Sequence, residues 1–166
     1  AGDLCDGLCG HPIASVRFIN EVAWPSIDEG LKRSNRSRDD FDHNAWIVTA
    51  ISSDQKQAEK EAKYHIARFM ATRSYGIILD SQGHTDLKEK IQNEFFNNPD
   101  DVESLINAIP DEIAREHSIY GTIDQVREQA EKYEGVVNTS TFYCASALMS
   151  HDRIHENIQL MIEALY

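Results

Sequence analysis

The chain has 166 residues, 28 acidic against 16 basic side chains and a formal net charge of −12, which describes a single domain with an acidic surface. Both signs of charge are interspersed, so the clustered Lys/Arg footprint of nucleic-acid binding is excluded; the one basic cluster, LKRSNRSR at 31–38, runs at once into DDFD and reads as a solvated helix end. No apolar run approaches the ~18 residues of a membrane span, no signal-peptide order opens the chain, and three cysteines make no disulfide framework, so a cytoplasmic protein without membrane contact is expected.

In chain order, DGLCGH at 6–11 suits a short buried strand. PIASVRFINEVAWPSIDEGLKRS follows as a helix whose apolar face is Ile19, Val22, Ala23, Ile27 and Leu31, kinked where Pro25 removes a donor. AWIVTAIS at 45–52 is continuously apolar and β-branched, the pattern of a parallel strand covered on both faces. Ser52 and Gln55 have capping-box spacing before a helix with Ala58, Ala62, Ile66, Phe69 and Met70 inward. Residues 74–121 read as an uninterrupted helical insertion, with helices marked by Leu87, Ile91 and Phe95, by Val102, Leu105 and Ile106, and by DEIAREHSIYG. Thr122 and Gln125 cap the next helix, VVNTSTFYCASA is a strand, and HDRIHENIQLMIEALY closes as a helix with Ile154, Ile158, Met161, Ile162 and Leu165 inward. Alternation of this kind implies parallel strands joined by crossovers, here three strands with two open edges.

Several side chains could carry chemistry. Cys5, Cys9 and His11, with His43, Cys144 or His151, contain the donor types of a zinc site but lack its usual paired spacing, and the cysteines are expected to pack as small buried hydrophobes. Cys144, at a strand end, is a possible nucleophile without an assignable base and is expected in the core, as are the tyrosines and tryptophans. GHPIAS joins a strand to a helix N-terminus, where backbone N–H groups can meet a phosphate; Gly10 allows close approach, and His11 and Ser15 could donate. His151, Asp152, Arg153 and His155 could face a ligand at the same rim but are expected as a solvated first turn.

Two stretches carry a family resemblance. AGDLCDGL followed by HPIASVRFINEVAWPSIDEGLKRSNRSRDDF resembles the segment after the fifth strand of the luciferase-like flavin- and deazaflavin-dependent oxidoreductases. IPDEIAREHSIYGTIDQVREQAEKYEGVVNTSTFYCA resembles that family's C-terminal stretch. The resemblance implies an α/β fold that is the C-terminal part, about strands six to eight, of a (β/α)8 TIM barrel with a helical insertion before the last strand. Residues 1–166 then form one partial-barrel domain, and the shortfall from the ~250 residues of a whole barrel is accounted for. It further implies an oxidoreductase or monooxygenase passing hydride through FMN or an 8-hydroxy-5-deazaflavin coenzyme, acting on a small molecule. Part of the cofactor-phosphate cradle maps to Gly10, His11 and Ser15; the basic residue some members place in this turn has no match here, the nearest being Arg17. Catalytic residues of the family lie on early strands and have no counterpart here, so the chain alone is expected to be inactive. The absence of an initiator Met fits a cleaved or partial chain, and the expected partner is an N-terminal half-barrel or a second copy. The alternative is a non-catalytic α/β module that associates through open sheet edges; a third reading is a zinc-stabilised domain.

Overall fold

The computed structural model describes residues 1–166. Strand β2 (Asp42–Ile51) is its axis, because a run of β-branched and small apolar residues can be covered on both faces. β1 (Gly7–Cys9) pairs in parallel with its start, β3 (Ile119–Gly121) with its end, and β4 (Thr139–Cys144) with residues 44–49. β1 and β3 share one edge of β2, with the Gly10 N–H donating to the Asn44 carbonyl and the Ser52 N–H to that of Gly121; β4 takes the other edge, where the Ala145 N–H reaches the Thr49 carbonyl.

Four strands replace the expected three, and the insertion is not wholly helical. Helix α7 (Asp111–His117) stops at Ser118, and Ile119–Gly121 pair with the far end of β2. Two β-branched or aromatic residues before a glycine are too short a strand signal without that neighbour.

Two cores sandwich the sheet. One collects Ile19, Ile27 and Leu31, the odd-numbered Ala45, Ile47 and Ile51 of β2, Val126 of α8 (Ile123–Ala130) and Met161 of α9 (His151–Leu165). The other lies between Val48 and Ala50 and the helices that follow β2: α3 (Gln55–Ala71), α4 (Gly76–Ser81), α5 (Thr85–Asn97), α6 (Val102–Asn107) and α7. Ala58, Ala62, Ile66 and Met70 are buried as the periodicity predicts, while Phe69 is only half-buried. The cap of α3 is Asp54, which accepts from the Lys56 and Gln57 N–H groups, in place of the expected Ser52–Gln55 box; Ser52 Oγ instead accepts from the Asp54 N–H. The Thr122–Gln125 box is formed as expected.

Pro25 does not bend a regular helix. α1 (Val16–Phe18) passes into a π-segment, Ile19–Ala23, before α2 (Trp24–Arg33), and the Trp24 N–H reaches back to the Ile19 carbonyl. The extra residue per turn absorbs the donor that proline lacks.

The last helix departs most from its pattern. Its buried stripe is Arg153, Asn157, Met161 and Ala164, whereas Ile158 is 38% and Ile162 51% exposed. The stripe is polar at its start because β2 outruns β4 there. Asn157 Oδ1 accepts from the Ile51 N–H at 2.7 Å and its Nδ2 donates to the Thr49 carbonyl at 3.3 Å, completing the ladder where no strand remains. Gln129 does the same for β3, accepting from the Tyr120 N–H and donating to the Tyr120 carbonyl. Side-chain amides thus close two stretches of strand edge. Asn157→Leu leaves the Ile51 donor unpaired, and an expected loss of about 1–3 kcal/mol follows; a urea midpoint unchanged from the parent would refute this.

Candidate functional site

The register of the strands decides which side chains meet. Asn44 and Trp46 of β2 share a face with Cys9 of β1 and with Thr141 and Tyr143 of β4. Asn44 Oδ1 accepts from the Thr141 hydroxyl at 3.0 Å, and the Trp46 and Tyr143 rings stack at 5.7 Å and 26°. Helix α3 covers only the end of this face, at Val48 and Ala50, so Asn44, Trp46, Thr141 and Tyr143 are half-exposed and Cys9 is exposed. The expectation that Cys5 and Cys9 are buried fails: both are exposed, Cys5 in the segment before β1 and Cys9 on the uncovered side of that strand. Cys144, on the opposite face, is half-buried beside Asn157 Nδ2 at 3.2 Å, and burial raises its thiol pKa, which disfavours the thiolate a nucleophile needs. No three His, Cys, Asp or Glu side chains converge at metal-binding spacing.

Where the C-terminal half of α3 crosses the strand ends, a cleft of about 440 Å³ opens, lined by His65, Arg68, Phe69, Tyr75, Tyr143 and Ala147 among others. Its walls are aromatic. Phe69 lies 5.2 Å from the His65 ring and 6.3 Å from that of Tyr143. His11 reaches the same cluster from the loop after β1, with its ring 5.1 Å from Phe69 and 3.9 Å from Tyr75. Its Nδ1 accepts from the Ile13 N–H at 3.4 Å, and burial lowers its pKa, so the ring is neutral at neutral pH. His65 is 6% exposed; burial, with the Arg68 charge adding to it, pulls its pKa from 6.5 to about 4. Its Nδ1 accepts from the Ala147 N–H at 3.1 Å, so the ring proton resides on Nε2.

The three residues expected to cradle a phosphate have different surroundings. Gly10 continues β1, and a β-carbon there would stand 3.3 Å from the Asn44 carbonyl oxygen. His11 sits in the aromatic cluster. Ser15 is fully buried: its hydroxyl accepts from the Phe18 N–H at 3.1 Å and from Gln82 Nε2 at 2.8 Å, and donates to Glu116 Oε1 at 3.3 Å. One donor and two acceptor positions are then used, and a carboxylate stands beside them.

Arg153 is likewise not in a solvated turn. It is 8% exposed, grips both Glu61 oxygens at 2.9 Å and donates to the Ile51 carbonyl at 2.5 Å, while His151, Asp152 and His155 remain exposed.

Packing was the expectation for Trp46, Phe69, Tyr75 and Tyr143, and His65 was not singled out. One signal was legible: Asn44 and Trp46 occupy alternate positions of an otherwise apolar strand, which marks a face not fully closed.

The family model of luciferase-like monooxygenases matches residues 1–139. The 5,10-methylenetetrahydromethanopterin reductase of Archaeoglobus fulgidus is 30% identical over 134 residues, 78% of this chain and 39% of that protein. The reductase of the same name from Methanopyrus kandleri is 29% identical over 133 residues, 80% of this chain and 37% of that protein. The uncharacterised Mycobacterium tuberculosis protein Rv1360 is 28% identical over 141 residues, 82% of this chain and 41% of its own length. The chain therefore spans about two fifths of these curated relatives. Among solved structures, the coenzyme F420 dependent tetrahydromethanopterin reductase from Methanopyrus kandleri superposes with a TM-score of 0.77 at 24% identity, over 99% of this chain and 45% of that one. An F420-dependent secondary alcohol dehydrogenase in complex with an F420-acetone adduct gives 0.66 at 14% identity, over 99% and 43%. At these identities the structural likeness is one of fold.

Proposed function

Because this chain belongs to the luciferase-like monooxygenase family, we propose that it is the C-terminal part, about strands six to eight, of a barrel oxidoreductase that uses a 5-deazaflavin coenzyme. Among the relatives and structures named above, those described by a cofactor carry F420, which favours a deazaflavin over FMN.

The aromatic cleft at the C-terminal strand ends carries this reading. Its residues fit a flat heteroaromatic ring: Phe69, Tyr75 and Tyr143 present ring faces and edges, and Trp46 extends the wall through Tyr143. A bound deazaflavin supplies hydride transfer. His65, neutral, offers its Nε2–H as a fixed donor to the ring's polar edge. Arg68 is exposed at the cleft, has no carboxylate partner and would meet an anionic substituent. Gly10 and His11 flank the ring site, while Ser15, saturated by Gln82 and Glu116, holds the loop in place rather than contacting phosphate.

The chain alone would be inactive, because it spans only about two fifths of the relatives named above. An N-terminal half-barrel would cover the half-exposed Trp46 and Tyr143, the free edge of β4 and the exposed Ile158 and Ile162 of α9. Those same exposed isoleucines favour the second reading, an α/β module that pairs through this side. Light scattering separates the two: a homodimer indifferent to F420 supports the module.

Titration of the chain with F420 and with FMN, followed by cofactor fluorescence, tests the cleft. F420 is expected to bind more tightly than FMN, and Phe69→Ala to weaken it about tenfold, the size of one lost aromatic contact. FMN binding as tight as F420, or an unaffected variant, overturns the reading.

A further inference from the structure

A second cavity lies at the other end of α3. Its volume is about 410 Å³, and its walls come from α3 (Glu59), the end of α7 (Arg115), β3 (Tyr120), α8 (Gln125) and the turn after α8 (Lys132). Ten residues of helix, roughly 15 Å at 1.5 Å per residue, separate Glu59 from the Phe69 of the aromatic cleft.

Its charge is unusual for this protein. In a chain with 28 acidic and 16 basic residues, most arginines and lysines near a carboxylate are paired with it. Arg115 and Lys132 both line this cavity and neither has a carboxylate within ion-pair distance. The Lys132 ammonium has a backbone partner, the Arg115 carbonyl at 2.9 Å, and burial lowers its pKa to about 8. The Arg115 guanidinium lies 5.6 Å from the Tyr120 ring centroid. Tyr120 is 5% exposed, and its hydroxyl is buried without a hydrogen-bond partner. A buried donor without a partner costs stability unless something is there to accept from it. Of the acidic residues on the wall, Glu59 shares the Lys63 ammonium, at 2.7 Å, with Asp111, and Glu128 is exposed at the rim.

We propose that this cavity is a binding site for the phosphate group of a small molecule, held by Arg115, Lys132 and the Tyr120 hydroxyl. Two cations and a neutral donor, contributed by the end of α7, the turn after α8 and β3, match an oxyanion that can accept from each of them, and charge-assisted bonds of this type are the strong ones. The site is independent of the aromatic cleft and of any cofactor assigned to it.

Inorganic phosphate is the probe, titrated against the intact chain by ³¹P line broadening and by thermal unfolding, with sodium chloride at matched ionic strength as the control. Phosphate is expected to broaden saturably and to raise the unfolding temperature beyond the chloride control. Lys132→Met is expected to weaken it at least about tenfold, the loss of one charge-assisted bond. Tyr120→Phe keeps the ring and removes only the hydroxyl, and is expected to weaken phosphate by about three- to tenfold. Equal effects of chloride and phosphate, or full phosphate binding by folded Lys132→Met and Tyr120→Phe variants, overturn the proposal.

Discussion

Arg153→Ala is expected to destabilise the fold by about 3–5 kcal/mol, which is a large part of the 5–15 kcal/mol that holds a domain of this kind together. The Arg153 and Glu61 side chains are 8% and 6% exposed and meet in a two-bond fork. The same guanidinium accounts for the Ile51 carbonyl at the end of β2. Removing it leaves the buried Glu61 carboxylate with only the Gln57 Nε2 bond at 3.1 Å and the Ile51 carbonyl without its Arg153 donor. Because burying the pair itself costs solvation, replacing both partners is a different experiment. Glu61→Leu with Arg153→Met is expected to recover most of the loss. Urea unfolding of the two single variants and the double variant gives the coupling directly. Single variants within 1 kcal/mol of the parent would show that the pair is not buried in solution.

The second large effect is acid sensitivity. Burial pulls the His65 pKa from 6.5 to about 4, so between these values the unfolded chain binds a proton that the folded one refuses. The stability held by this neutral imidazole is complete above pH 6.5 and is lost as the pH falls towards 4, roughly 3 kcal/mol in all. His43 and His117 are shifted in the same direction by burial and steepen the same slope. Protonation would also require Nδ1 to give up the Ala147 N–H, which anchors the segment after β4 to α3. His65→Gln keeps an acceptor there without a titratable ring. Unfolding free energies at pH 7.5 and 4.5 should therefore differ by about 2–3 kcal/mol less in His65→Gln than in the parent. The same pH dependence in both proteins would remove His65 as its source.

These two residues show where sequence reading stopped. Arg153 sits in a first helical turn among His151, Asp152 and His155, and by local pattern it belongs with them in water. Only the overrun of β2 beyond β4 makes a buried arginine useful there, and that overrun is a property of strand register. For the same reason Asn157, rather than Ile158, lies inward. His65 lies on a helix whose inward stripe, Ala58, Ala62, Ile66 and Met70, is read correctly from its period. Its neighbouring face is covered by a segment 82 residues away in sequence, which no local pattern reports.

Local chemistry, set by propensity and period, was sufficient for the β2 strand, the apolar faces of α2 and α3, the Thr122 cap and the alternation that implies parallel strands. These depend on residues within a turn or two of one another, and the resemblance to the luciferase-like family rested on the same contiguous stretches. Tertiary structure alone decided what those elements do together. Strand β3 exists because β2 has an edge to offer, and the π-segment before Trp24 accommodates a proline within a packed helix. Ser15 turned inward because Gln82 and Glu116 were there to bind it. The aromatic cleft joins His11, Phe69 and Tyr143 across more than a hundred residues. Contacts of that range are set by strand register and crossover geometry, which depend on the whole chain packing at once rather than on any stretch of it.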